Sequence, residues 1–160
     1  MNFAATEDHE LLRQTVREFA EKEARPSAAA RDEAMEWPAD LVKKMGQLGF
    51  LGVAVGEEYG GAGLDYISYA IVIEELSRVD ASLGVIASVN NSLVCHGLER
   101  FGTEDQKREL LIPLASGRTL GAFSLSEPGA GSDAAAQKTI AVREGDDYLI
   151  NGIKIGRAHV

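Results

Sequence analysis

The chain has 160 residues, 45% of them hydrophobic, and a net charge of −9, which is enough apolar material for one domain, or for one domain and part of another. An acidic chain offers phosphates no positive field, which argues against nucleic-acid binding and against attraction to an anionic membrane. No apolar run approaches the ~20 residues of a membrane span, the start Met1-Asn2-Phe3-Ala4-Ala5 lacks the regions of a secretory leader, and the lone Cys95 excludes an internal disulfide or a cysteine zinc cluster; all this suits a reducing cytoplasm.

The first two thirds read as helices. Thr6 is placed to cap the first, with Glu7 and Asp8 at the positive end of its dipole. Leu12, Val16, Phe19 and Ala20 follow at helical spacing. Pro26 interrupts this helix or starts its continuation through Ala34. Trp37-Pro38 opens a second helix, with Leu41, Met45 and Leu48 on its apolar face and Gly49 at its end. A glycine-rich connector, Gly52 to Gly63, cannot sustain a regular helix. Asp65 caps a third helix, Tyr66 to Arg78, whose apolar residues run nearly all round, so it is expected to be central and buried. Ser82 is expected to cap a fourth, from Leu83 to about Arg100. Thr103-Glu104-Asp105-Gln106 is a capping box for a fifth, with Leu110, Leu111 and Leu114 on its apolar face and Gly117 as its stop.

After Gly117 the pattern changes. Thr119 to Ser126 reads as a strand. Thr139 to Arg143 and Tyr148 to Asn151 read as a hairpin around Glu144-Gly145-Asp146-Asp147. The expected class is α+β: an all-α helical domain over residues 1–118, then the start of a β-barrel domain over 119–154, with 155–160 a non-native tail.

Two places could carry chemistry. In Phe123-Ser124-Leu125-Ser126-Glu127-Pro128-Gly129-Ala130-Gly131-Ser132-Asp133, hydroxyls and a carboxylate lead into a two-glycine turn, where backbone N–H groups can approach a ligand closely. A plain strand and turn is an equal reading, because lone glycine-rich loops are weak signals. Gly129 to Ala134 fits the dinucleotide fingerprint formally, but about seven residues separate the glycines from the next strand, too few for its crossover helix. No P-loop Gly-Lys-Ser/Thr occurs. On the fourth helix, Ser88, Asn90, Asn91, Ser92 and His96 interrupt an apolar run. A solvated face or satisfied core polar groups explain such a pattern more often than a pocket wall does. Cys95 reads as a small buried hydrophobe. Glu57-Glu58 and Glu74-Glu75 point about 100° apart on a helix, so they are not acid/base couples and read as surface or structural.

The segment Phe123 to Asp133 resembles the first signature of the acyl-CoA dehydrogenase family. Leu48-Gly49-Phe50-Leu51-Gly52, Glu58-Tyr59-Gly60-Gly61-Ala62-Gly63, Glu74-Glu75-Leu76-Ser77-Arg78 and Phe101-Gly102-Thr103-Glu104-Asp105-Gln106-Lys107 agree in the family's order. Asp147 to Lys154 resembles the strand leading to its second flavin motif, and Val89-Asn90-Asn91-Ser92-Leu93 is similar to the short-chain (butyryl-CoA) branch. The resemblance implies an FAD flavoprotein of fatty-acid β-oxidation, an oxidoreductase that turns short- or medium-chain acyl-CoA into the trans-2-enoyl-CoA. It implies an electron-transfer flavoprotein as acceptor and a homo-oligomer, a tetramer. By resemblance Phe123, Leu125, Ser126, Gly131 and Ser132 bind the cofactor, with Leu125 and Ser126 on the flavin's pyrimidine edge. Ser132 also meets the CoA portion, and Val89, Ser92 and His96 line the acyl pocket. The family's catalytic Glu lies in a C-terminal domain, so no residue here is expected to be catalytic, and this stretch alone is expected to be inactive.

After Asn151-Gly152-Ile153-Lys154 the family continues with an aromatic, Ile, Thr or Ser, and Asn. Here Ile155-Gly156-Arg157-Ala158-His159-Val160 follows. This hexapeptide is the in-frame translation of ATC GGA AGA GCA CAC GTC, a common sequencing-adapter read, hence the expected non-native tail. Two rivals remain: another enzyme of the superfamily, such as an acyl-CoA oxidase or nitroalkane oxidase, and a helical interaction module that has lost flavin.

Overall fold

The computed structural model of the chain describes residues 5–156. It divides into two compact units, Met1–Ala122 and Phe123–Val160. The α+β reading holds: helices come first and an antiparallel strand pair last.

The helical unit begins with α1 (Glu7–Phe19), capped by Thr6 with His9 completing the capping box. It runs on through a π-helical turn, Ala20–Ala24, and a 3₁₀ turn at Pro26 into α2 (Ala28–Ala34). Next are α3 (Ala39–Gln47), α4 (Tyr66–Ser77, capped by Asp65) and α5 (Ala81–Ser88). α5 continues through a π-helical segment, Val89–Cys95, into α6 (His96–Phe101). Behind the Thr103–Gln106 capping box, α7 (Glu104–Gln106), a π-helical segment (Lys107–Leu111) and α8 (Ile112–Ala115) form one more rod. α3 and α8 stop just ahead of Gly49 and Gly117, at φ +78° and +70°, where a side chain would be strained.

Some boundaries differ from the sequence reading. Asp80, not Ser82, caps α5, because its carboxylate accepts both the Ser82 and Leu83 N–H groups. Pro38 is the N-cap of α3 rather than its first residue. Leu48 and Leu110 are exposed, while Val42, Leu111 and Leu114 are buried. α4 buries Ser68, Ile71, Val72, Glu75 and Leu76 and packs on both α1 and α5, as its all-round apolar character requires. Val16, Phe19, Met45, Phe50, Val72 and Leu83 belong to the main core, where Phe19 and Phe50 meet edge to face at 5.7 Å. A second core joins Val55, Cys95, Leu111 and Leu114.

Among the described residues of the helical unit, Glu75 is the buried carboxylate. It is 1% exposed and lies on α4 opposite α1. Arg17 grips it with two bonds, 2.9 and 2.7 Å, and Arg13 and Arg78 add bonds of 3.2 and 3.3 Å. This network is structural, and it answers the desolvation cost with three guanidinium partners.

In the second unit, β1 (Ile140–Glu144) pairs antiparallel with β2 (Asp147–Asn151), Glu144 opposite Asp147 and Ile140 opposite Asn151. Gly145, at φ +65°, takes the first place of a two-residue turn. Thr119 to Ser126 is not a strand: among the described residues it has no ladder partner, and β pattern without a partner leaves an extended segment. Ile155 donates its N–H to the Ser126 carbonyl at 2.8 Å. Arg157 to Val160, the rest of the expected tail, lies outside the described residues.

Candidate functional site

The helix α5–α6 carries one candidate region. In its π-helical segment the N–H groups reach one residue further back than in an α-helix, the His96 N–H going to the Asn91 carbonyl. Side chains bond back to the helix as well. Asn91 Nδ2 donates to the Ala87 carbonyl at 2.8 Å and Ser92 Oγ to the Ser88 carbonyl at 2.7 Å. Asn91 also reaches the Phe50 carbonyl at 2.9 Å and accepts the Val53 N–H at 2.7 Å. Asn90 and Asn91 are therefore satisfied core polar groups, the plainer of the two readings.

Beside them lies a cavity of about 90 Å³, lined by Ala54, Val55, Tyr66, Tyr69, Asn91, Ser92, His96 and Glu99. It has the make-up of a small-molecule site, apolar with a few fixed polar groups. Tyr66 OH lies 3.2 Å from His96 Nδ1 and the two rings cross at 77°. Tyr69 OH and Ser88 Oγ are 3.1 Å apart, and Glu99 accepts the Gly56 N–H at 3.0 Å. Of the three residues expected on the acyl pocket, Ser92 and His96 line this cavity and Val89 does not. His96, which shows no partner in the sequence, is paired with Tyr66. The sequence does not show Tyr66 and Tyr69 at this site because their approach is tertiary: they meet Ser88 and His96 from 19 and 30 positions away, and no local pattern marks that.

The second region is Phe123 to Asp133. Glu127 is 7% exposed and anchors it. Its carboxylate accepts the Lys138 N–H at 2.6 Å, the Thr139 N–H at 3.1 Å and the Lys154 ammonium at 2.9 Å. These donors, the Lys138 N–H foremost, hold its carboxyl down to about 2. The Glu127 and Ala130 backbones close the turn on each other with bonds of 3.0 and 3.1 Å. The Leu125 carbonyl takes Gln137 Nε2 at 2.7 Å and Lys154 Nζ at 3.0 Å. The N–H groups of Leu125 and Ser126 have no partner among the described residues. Phe123, Leu125, Gly131 and Ser132 are exposed and Ser126 is half-buried. Neither Gly129 nor Gly131 has a positive φ, and a Cβ added to either meets nothing within 4 Å. The chain's own conformation does not demand these glycines; what they leave is open space.

The buried carboxylates of the two regions are engaged, whereas Asp133, at the end of the second, is exposed and has no side-chain partner among the described residues. Glu127 is buried under three donors, and Glu99 accepts from the loop at Gly56. A carboxyl held near 2 is a feeble base at neutral pH.

The family model described as acyl-CoA dehydrogenase, N-terminal domain, matches residues 6–118. The short-chain specific acyl-CoA dehydrogenase of Clostridium acetobutylicum is 52% identical over 97% of this chain and 41% of that protein. The human mitochondrial short-chain specific acyl-CoA dehydrogenase is 54% identical over 92% of this chain and 36% of that protein. Butyryl-CoA dehydrogenase from Megasphaera elsdenii superposes with a TM-score of 0.89 at 38% identity, over 97% of this chain and 42% of that one. A chain from the structure of the electron transferring flavoprotein of Acidaminococcus fermentans gives a TM-score of 0.92 at 48% identity, over 97% of this chain and 41% of that one. The chain thus spans about two fifths of the length of these relatives.

Proposed function

We propose, from the premise that this chain belongs to the acyl-CoA dehydrogenase family, that the complete protein bearing it is an FAD-dependent acyl-CoA dehydrogenase of β-oxidation. It acts on short- or medium-chain thioesters and yields the trans-2-enoyl-CoA. The observation that carries this reading is the largely exposed segment Phe123–Ser132, whose N–H groups, those of Leu125 and Ser126 among them, are unpartnered among the described residues save at Glu127 and Ala130, beside an open glycine turn. That donor-rich edge fits a flat ring bearing acceptor atoms on its rim, which is the demand a flavin makes.

In this reading Leu125 and Ser126 hold the flavin's pyrimidine edge through their N–H groups and the Ser126 hydroxyl, and Phe123 covers its face. Such fixed donors stabilise the negative charge that develops on reduction. When bound, the flavin supplies a hydride acceptor for the substrate's β-carbon. Gly131 keeps the turn open and Ser132 meets the CoA portion. Ser92 and His96, in the cavity on α5–α6, face the acyl chain, and Val89 takes its place on the same helix. Glu127 and Glu99 are both committed and Asp133 is exposed beyond the glycine turn, so the base that removes the α-proton is assigned to no residue of this chain, and residues 1–160 alone are inactive. An electron-transfer flavoprotein takes the electrons, the protein is a homotetramer, and it works in the cytoplasm.

The test is to purify the complete protein, record its flavin absorbance band, and add butyryl-CoA without oxygen. Bleaching of the band with formation of crotonyl-CoA is expected. A colourless protein that neither binds FAD nor consumes butyryl-CoA overturns the reading.

A further inference from the structure

Asn90 is 1% exposed and spends both ends of its side chain. Its Nδ2 donates to the carbonyls of Leu51 and Leu114, at 2.8 and 3.0 Å. Those two bonds alone would make it an ordinary core polar group. Its Oδ1, however, accepts the Gly121 N–H at 3.0 Å. Gly121 lies on the same helix a second time: a Cβ there would stand 2.4 and 2.8 Å from the two γ-methyl carbons of Val94. Asn90 and Val94 are four apart on the helix and so share a face. The last residues of the helical unit are thus held down by one hydrogen bond and by one contact that only glycine permits.

We infer that Asn90 is a positioning residue which, with Val94, sets the point where the chain leaves the helical unit, two residues ahead of Phe123. The same helix carries Ser92 and His96 on the cavity. The inference rests on the proposed flavin role of Phe123–Ser132. One helix would then govern both the cavity wall and the root of the flavin segment, so disturbing the root should alter the flavin more than it alters acyl-CoA binding.

The experiment uses the complete protein with four variants: Asn90→Leu, Gly121→Ala, the pair Gly121→Ala/Val94→Ala, and Asp80→Asn. The last breaks the half-buried Arg31–Asp80 ion pair, keeps a side-chain oxygen to cap α5, and loosens the helical unit away from Gly121. Expected for Asn90→Leu and Gly121→Ala are a displaced flavin absorbance band and a kcat lower by about tenfold, the worth of one buried hydrogen bond, with a nearly unchanged KM. Adding Val94→Ala removes the two γ-methyls and should restore part of the lost kcat. Asp80→Asn should lower the Tm without moving the band. If Gly121→Ala and any folded Asn90→Leu protein keep the wild-type band and kcat while the Tm falls, Asn90 is a core polar group only, and the inference is overturned. A wild-type protein that carries no flavin instead removes the functional reading beneath it, and this inference with it.

Discussion

His9 Nε2 lies 3.2 Å from each carboxylate oxygen of Asp65, so the caps of α1 and α4 share one imidazole. His9 Nδ1 accepts the Thr6 N–H at 3.1 Å, while Asp65 accepts the Ser68 N–H at 2.8 Å. The neutral ring must then carry its proton on Nε2 and donate it to Asp65. His9→Ala removes a capping partner and a cross-helix bond together, and should cost about 1–2 kcal/mol in urea unfolding. Ring nitrogen chemical shifts should report the Nε2–H tautomer; an Nδ1–H ring would contradict the shared cap.

Acid should attack the helical unit through Glu75. The Arg17 guanidinium, ahead of Arg13 and Arg78, holds its carboxyl at about 2, below its ordinary 4.5. A folded-state value that is depressed contributes stability in full above about pH 4.5, and that share drains away as the pH falls toward about 2. Glu75→Gln should cost about 2–3 kcal/mol at neutral pH, the low end for a broken buried pair because Arg17 and Arg78 are partly solvated. The variant should also flatten unfolding free energy against pH between those limits. An equally steep profile in the variant would assign the acid sensitivity elsewhere.

Cys95 should be inert in the native protein. It is fully buried, and desolvation, with Glu99 adding, pushes its thiol up to about 12. A chromogenic disulfide reagent should label it only after denaturant is added. Prompt labelling of the folded protein would mean that the second core opens readily.

Gly131→Ala should leave the Tm where it was, because φ at Gly131 is not positive and the added Cβ meets open space. Gly131→Val in the complete protein should nonetheless weaken FAD retention, by filling the space the cofactor needs. Retained flavin and activity in the valine variant would strip the turn of its proposed role.

Ser126→Ala should perturb flavin binding or reduction, and Ser132→Ala should raise the apparent KM for acyl-CoA by roughly tenfold, as loss of one hydrogen bond to a charged or polarised group would. Unaltered spectra and steady-state constants in both variants would end their assignment.

What was legible in the sequence was mostly local. Thr6, Asp65 and Thr103 cap helices as their hydroxyl and carboxylate side chains require, and Gly145 turns the hairpin. Asp80 was passed over for Ser82 because both residues can cap, and only the geometry shows which carries the bonds. Glu75 read as surface or structural, and its burial was hidden, because burial depends on α1 bringing Arg13 and Arg17 across some 60 positions. The cavity was half legible: polar residues stood out on an apolar helix, but not that Asn90 and Asn91 turn to the core while Ser92 and His96 reach the cavity with Tyr66. Thr119 to Ser126 had a strand's pattern, but pairing is a property of two segments and is not written in one.

The π-helical segment Val89–Cys95 decides where this helix can lose a residue. Each residue of an α-helix advances the next by about 100°, and the wider π turn advances it less, so the segment spends about one residue more than an α-helix would on the same rotation. Deleting one residue between Val89 and Cys95 would let the segment close into an ordinary α-helix with α6 nearly in register. The same deletion inside α5 would swing α6 by roughly 100°, taking His96 from Tyr66 and Glu99 from Gly56 although no side chain had been substituted. A single-codon loss is thus borne in the π segment and not in the helix ahead of it.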